Sequence, residues 1–154
     1  MTSILNGLPG GGTPLCHHVN QVVEQITAIA PELRAAGKKA SLIICSDGEA
    51  SDGDITAALR PLHNLPVWVV IRLCTDEDPV VSYWNNIDSQ LELNMDVLDD
   101  PISESIEVSK VNKWLTYGTP LHRLREFGVT SKEMDLLDEA KLSVESMRTI
   151  CAFM

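Results

Sequence analysis

The sequence predicts an α/β fold: a parallel sheet with helices on both faces, followed by a small C-terminal helical appendage. Three observations lead there. Two short apolar runs, residues 40–45 and 66–73, have the composition of strands covered on both sides. Around them lie segments whose apolar residues recur at helical spacing. The two kinds alternate, and connections of this length imply parallel strands joined by right-handed crossovers.

Residues 1–13 are Gly-rich and read as a loop. Thr13-Pro14 opens a helix, with Thr13 as the expected cap and Pro14 in the first turn. Leu15, Val19, Val22, Val23, Ile26, Ile29, Ala30 and Leu33 then share one stripe, and Gly37 supplies a stop. The run 40–45 ends abruptly in Ser46-Asp47-Gly48, a strand entering a loop. Residues 52–63 predict a helix with Ile55, Ala58, Leu59 and Leu62 on one face. The run 66–73, PVWVVIRL, is the clearest strand, nearly all β-branched or aromatic. Helices are expected over 80–87 and 102–114. Alternating 91–98 is expected to form a half-buried strand near a sheet edge. From Tyr117 onward only short helices are legible, so the chain divides into a sheet domain over 1–115 and a helical extension over 116–154.

Composition narrows the function. At 154 residues and 44% hydrophobic, the chain can bury a core. Mean hydropathy is +0.02, and no apolar run approaches the ~18 residues of a membrane span, so no membrane partner is expected. The N-terminus lacks the basic start and apolar stretch of a secretory signal, which makes a cytoplasmic protein the expectation. Net charge is −10, which argues against nucleic acid, whose phosphates require clustered Lys and Arg. Between Leu73 and Ser109 there are ten Asp or Glu and no Lys or Arg. That band reads as a solvated surface or as a docking face for a basic partner. The four cysteines form no C-x-x-C pair; Cys45 and Cys74 are expected to behave as small buried hydrophobes, and all four to stay reduced.

Ligands of parallel α/β sheets bind beyond the carboxyl ends of the strands. The loop 46–54, SDGEASDGD, belongs there and offers Asp47, Glu49, Asp52 and Asp54. Hard cations such as Mg²⁺ prefer oxygen donors of this kind. The alternative reading is a turn plus a cap, with Asp-Gly turning the chain and Asp52 capping the next helix. The segment GGGTPL at 10–15 lacks the lysine and spacing of a phosphate-binding loop. His17-His18, His63 and His122 form no ligand set. Trp68, Trp84 and Trp114 are expected in the core, with Trp84 and Trp114 alternatively anchoring a partner.

A GGT-P segment opening a helix, followed some thirty residues later by an apolar strand ending in S/T-D-G, resembles the von Willebrand factor type A domain, a Rossmann-like fold. The likeness spans roughly residues 9–115, and the stretches at 66–88 and 91–100 are similar to protist proteins carrying such domains. In that family a metal-ion-dependent adhesion site is built on three loops. The resemblance implies that Thr13 matches the second loop and Asp47 the third, with Ser46, Glu49 and Asp52 on the same metal and partner face. It further implies a Mg²⁺ or Mn²⁺ ion completed by an acidic side chain of a protein partner. The family's first loop, Asp-x-Ser-x-Ser, occurs nowhere here, and no strands precede Gly10. Metal binding by the isolated chain is therefore expected to be weak or absent. The strand at 40–45 should also lack its usual neighbour, leaving an edge that residues 1–9, a homodimer through 40–45, or a partner's strand should cover. The leading expectation is a protein-binding scaffold module with an incomplete divalent-metal site and no catalysis. The alternative is a metal-dependent hydrolase using the acidic loop 47–54. Against the alternative stands the lack of a GxSxG turn, a base motif or a phosphate-binding element.

Overall fold

A computed structural model describes residues 11–91, 93–129 and 131–153. The sheet has three parallel strands in the order β1-β2-β3: β1 (Ala40–Ser46), β2 (Val67–Leu73) and β3 (Met95–Leu98). The register sets Ala40 beside Val67 and Ser46 beside Leu73, then Val69 beside Met95 and Arg72 beside Leu98. All seven residues of central β2 are apolar except Arg72, as a strand covered on both faces demands. The third strand is shorter than the alternation suggests. Leu91 closes the preceding helix instead, because Trp84 and Ile87 hold that helix on the core through its last turns.

Helices α1 (Leu15–Ala35), α2 (Ile55–Leu59) and α3 (Asp78–Leu91) pack on one face of the sheet. Val19 and Ile26 of α1, Ile55 and Leu59 of α2, and Trp84 of α3 meet Ile44, Val69 and Ile71 there. The helix expected over 52–63 is divided: α2 covers its middle, and a 3₁₀ turn, Arg60–Asn64, follows with Pro61 in its first positions. Two successive crossovers on the same face of a progressive parallel sheet are what a constant right-handed connection produces.

The opposite face is covered by the C-terminal part. Helix α4 (Pro101–Val111) leaves β3, and α5 (Thr119–Glu126), α6 (Lys132–Asp135) and α7 (Val144–Phe153) follow. These helices have a cluster of their own, built from Val108, Tyr117, Leu121, Met134, Leu137, Leu142 and Ile150. Asn112, wholly buried, ties it together: its amide donates to the Leu137 and Ala140 carbonyls, and its oxygen accepts from the Leu142 amide and the Trp114 indole. The C-terminal end of α5 reaches β1. Gly128, at φ +70°, brings its carbonyl to the Ser41 hydroxyl, and a Cβ there would sit 2.9 Å from Ser41 Oγ.

Among the described residues β1 pairs only with β2, and its other side is open. Its burial alternates accordingly, with Ile44 and Ser46 buried and Ile43 41% exposed. The expectation that residues 1–9 fold back on this edge lies outside the described residues. Two cysteine expectations are corrected. Cys45 is exposed because it points away from the α1 face of an edge strand, and Cys74 because it lies just past the end of β2; Cys16 is the buried one. Trp68 and Trp84 are buried as expected, but Trp114 is 39% exposed, held at the rim by Asn112. No helix among the described residues is long and apolar enough to cross a membrane.

Candidate partner and metal face

Each β-strand ends at the same end of the sheet, and the three loops that follow bring acids there. Asp47, Glu49, Asp52 and Asp54 follow β1, Asp76 to Asp78 follow β2, and Asp99 and Asp100 follow β3. The band of acids seen in the sequence is thereby split. Its loop members gather at this end, whereas Asp96 and Glu104 are buried and belong to a separate cluster, so the band is not a uniformly solvated surface.

The loop 46–54 is fastened at several points. The Ser46 hydroxyl donates to the Gly48 carbonyl at 2.9 Å and receives the Gly48 amide, closing the turn. The buried Trp84 indole donates to the same carbonyl at 3.2 Å, pinning the turn to α3. Asp54 caps α2 by accepting from Thr56 N at 2.9 Å. The Asp52 carboxylate accepts from the Cys16 and His17 amides at 3.0 and 2.8 Å. Asp52 thus caps α1, thirty-odd residues earlier, and not the helix that follows it. That also corrects the expectation for Thr13. Helix α1 begins at Leu15 behind Pro14 with no cap from its own flank, and the Thr13 carbonyl instead receives the Ser51 amide at 3.0 Å. A Cβ on Gly12 would press against the Ser51 side chain, so the two loops lie in close contact.

The electrostatics follow from this geometry. Asp52 has its carboxyl held below the usual range: the partial desolvation that opposes this is outweighed by the bonds from His17 and Cys16. Burial pushes the Cys16 thiol up, and its hydrogen bond to Asp52 adds to this, so Cys16 is not a thiolate. Burial also raises the Tyr83 phenol, helped by the charges of Glu49 and Asp54. The structure therefore brings Thr13, Ser46 and Asp52 into one assembly of two loops. Asp47 and Glu49 stand exposed on the same loop. Among the described residues no three His, Cys, Asp or Glu side chains converge as a metal-ligand group.

Sequence reasoning missed a second constellation. Arg125 of α5 is 1% exposed and donates to both Asp96 oxygens, to Glu104, to Tyr117 and to Asp138. Burial pushes Asp96 and Glu104 upward against the pull of Arg125, and Glu104 reaches about 8. One guanidinium facing two deeply buried carboxylates balances when the pair keeps one proton between them. Beside it, His122 is wholly buried and shares a 3.0 Å hydrogen bond between Nδ1 and the Tyr117 hydroxyl. Its pKa is lowered by desolvation, so it is neutral; Nε2 lies 3.3 Å from Glu126 without hydrogen-bond geometry. Glu126 is bound by Arg72 and Arg123. Apart from His122 Nε2, the cluster meets its donors and acceptors internally, which makes it an anchor for the C-terminal layer. One signal was available in the sequence: Arg125 stands four residues after Leu121, on the apolar stripe of its helix.

Comparison of the chain with family models, with curated proteins and with solved structures gave no match to any of the three.

Proposed function

We propose that the chain is a protein-binding scaffold module of the von Willebrand A kind, whose partner face is the carboxyl end of the sheet. One observation supports this above the rest. Loops after all three strands bring carboxylates to one end, among them exposed Asp47 and Glu49, on a turn held rigid by Trp84 and Asp52. A pre-organised face loses little freedom on binding, and a single sign of charge steers an oppositely charged partner. The partner is a protein with a basic surface. A Mg²⁺ or Mn²⁺ ion at Thr13 and Asp47 belongs to the same proposal, as a weak site completed by a partner's acidic side chain.

The test is a binding screen of the full chain against immobilised basic and acidic peptides, with and without Mg²⁺. Binding to basic peptides that falls with salt and drops in Asp47→Ala/Glu49→Ala supports the face. Acidic peptides should bind only with metal present. Indifference of every interaction to Asp47 and Glu49 overturns the proposal. Phosphoester turnover that depends on Mn²⁺ and vanishes in Asp47→Ala would put the metal-dependent hydrolase in its place.

A further inference from the structure

The open side of β1 has a defined hydrogen-bonding phase. The Ala40 amide donates to Pro66 and the Ser46 carbonyl accepts from Cys74, each at 2.8 Å. Alternate residues of a parallel strand face the same neighbour, so Ala40, Leu42, Ile44 and Ser46 are spent on β2. Ser41, Ile43 and Cys45 direct their amides and carbonyls outward, where no described residue meets them. An apolar groove runs along the same edge, between Leu15, Val19 and Val22 of α1 and Leu42 to Ile44 of β1.

We propose that this edge pairs with the same edge of a second copy, antiparallel about a two-fold axis at Ile43, joining two three-stranded sheets into one. The charge pattern selects both the partner and the direction. The strand is uncharged, Lys38 and Lys39 precede it, and Asp47 and Glu49 follow it. An antiparallel copy lays the basic end of each strand on the acidic end of the other, whereas a parallel copy would set like on like. A two-fold axis makes the contact isologous and closed. The Ile43-centred register overlaps all seven strand residues and opposes Ser41 with Cys45 of the partner subunit and Lys39 with Asp47 of the partner subunit. In this register every outward-facing residue meets an outward-facing one, as antiparallel pairing requires. It also covers Ile43 and the half-exposed groove, a liability for an edge left bare. The inference does not rest on the metal reading.

The experiment uses the full chain. Light scattering should give a dimer, and Ile43→Pro should give a folded monomer, because a proline is tolerated on an edge strand but deletes the central donor. Lys39→Glu should weaken the dimer about fivefold, and adding Asp47→Lys should restore it. Under mild oxidation Ser41→Cys should cross-link to Cys45 of the partner subunit, since Cα atoms of such a pair lie about 5.5 Å apart. Adding Cys45→Ser should abolish the cross-link. A dimer that survives Ile43→Pro, or that gives no cross-link, overturns the proposal. So does a monomer, whether its 41, 43 and 45 amides exchange freely or are protected by residues 1–10 of the same chain.

Discussion

Replacing Arg125 with Met should destabilise the protein by about 3–5 kcal/mol, the usual cost of removing one partner from a buried ion pair. The structure allows an independent estimate. Arg125 is 1% exposed and its guanidinium balances Asp96, which is 4% exposed. Without the cation, the carboxyl of the Asp96–Glu104 pair that is still charged must take up a proton to remain in the core. Protonating a carboxyl of unfolded pKa near 3.9 at pH 7 costs about 4 kcal/mol. The two routes agree. They also predict the sign of a pH effect. In the wild-type chain the Asp96–Glu104 pair, both raised by burial, already shares one extra proton, and in the variant it holds a second. A group whose folded pKa is raised in this way favours the folded state more as pH falls toward its unfolded value. The deficit of the variant should therefore shrink by about 1.4 kcal/mol per pH unit between pH 7 and 5. Urea unfolding followed by the fluorescence of Trp68 and Trp84 reads both quantities. Adding Asp96→Leu and Glu104→Leu should recover most of the loss, because apolar groups of similar size often replace a buried ionic cluster without penalty. A loss under about 1 kcal/mol, or a deficit independent of pH, would refute the description of the cluster as desolvated and proton-balanced.

Three further outcomes follow from particular contacts. Burial and the neighbouring Asp100 and Glu107 charges raise Asp99 to about 6, and its Oδ1 is buried without a partner; Asp99→Asn should therefore raise stability at pH 7 and leave it unchanged near pH 4, measured by thermal unfolding at both pH values. Asp52→Ala should unwind the first turn of α1 and speed amide exchange at Cys16 and His17, and because the Asp52 pKa is lowered, the wild-type protection should be present above pH 4 and fade below it. Gly128→Ala should cost about 1–3 kcal/mol, since φ +70° strains any other residue and the new methyl meets Ser41; Ser41→Gly should relieve only the steric part.

The strands at 40–46 and 67–73 were legible because continuous β-branched and apolar runs leave little other choice. Helix α1 was legible from its stripe, but its cap was not. Thr13 has the right chemistry and the right place, yet Asp52 satisfies the helix amides from a distant loop, and no local rule anticipates a contact between residues 16 and 52. The boundary of β3 failed for a related reason: alternation at 91–94 resembles a strand, but burial of Trp84 and Ile87 extends α3 through Leu91. On the candidate face the acidic loop was visible, while its stiffening by Trp84 was not. The Arg125 cluster stayed hidden because Asp96, Glu104 and Arg125 read singly as surface charges, and only the fold of α5 onto β3 turns them inward.

The placement of Arg125 also bears on the order in which the chain becomes a protein. Asp96 and Glu104 leave the ribosome before the arginine that neutralises them. Until α5 arrives, Asp96 on the second face of the sheet and Glu104 on α4 lack their cation, and water is their best neighbour. Burying an unpaired carboxylate is costly, so a charged Asp96 opposes early burial of that face. Docking of Arg125 supplies the missing cation and makes the face interior in the same step. Synthesis halted before α5 would leave a sheet with one finished side and one still addressed to solvent.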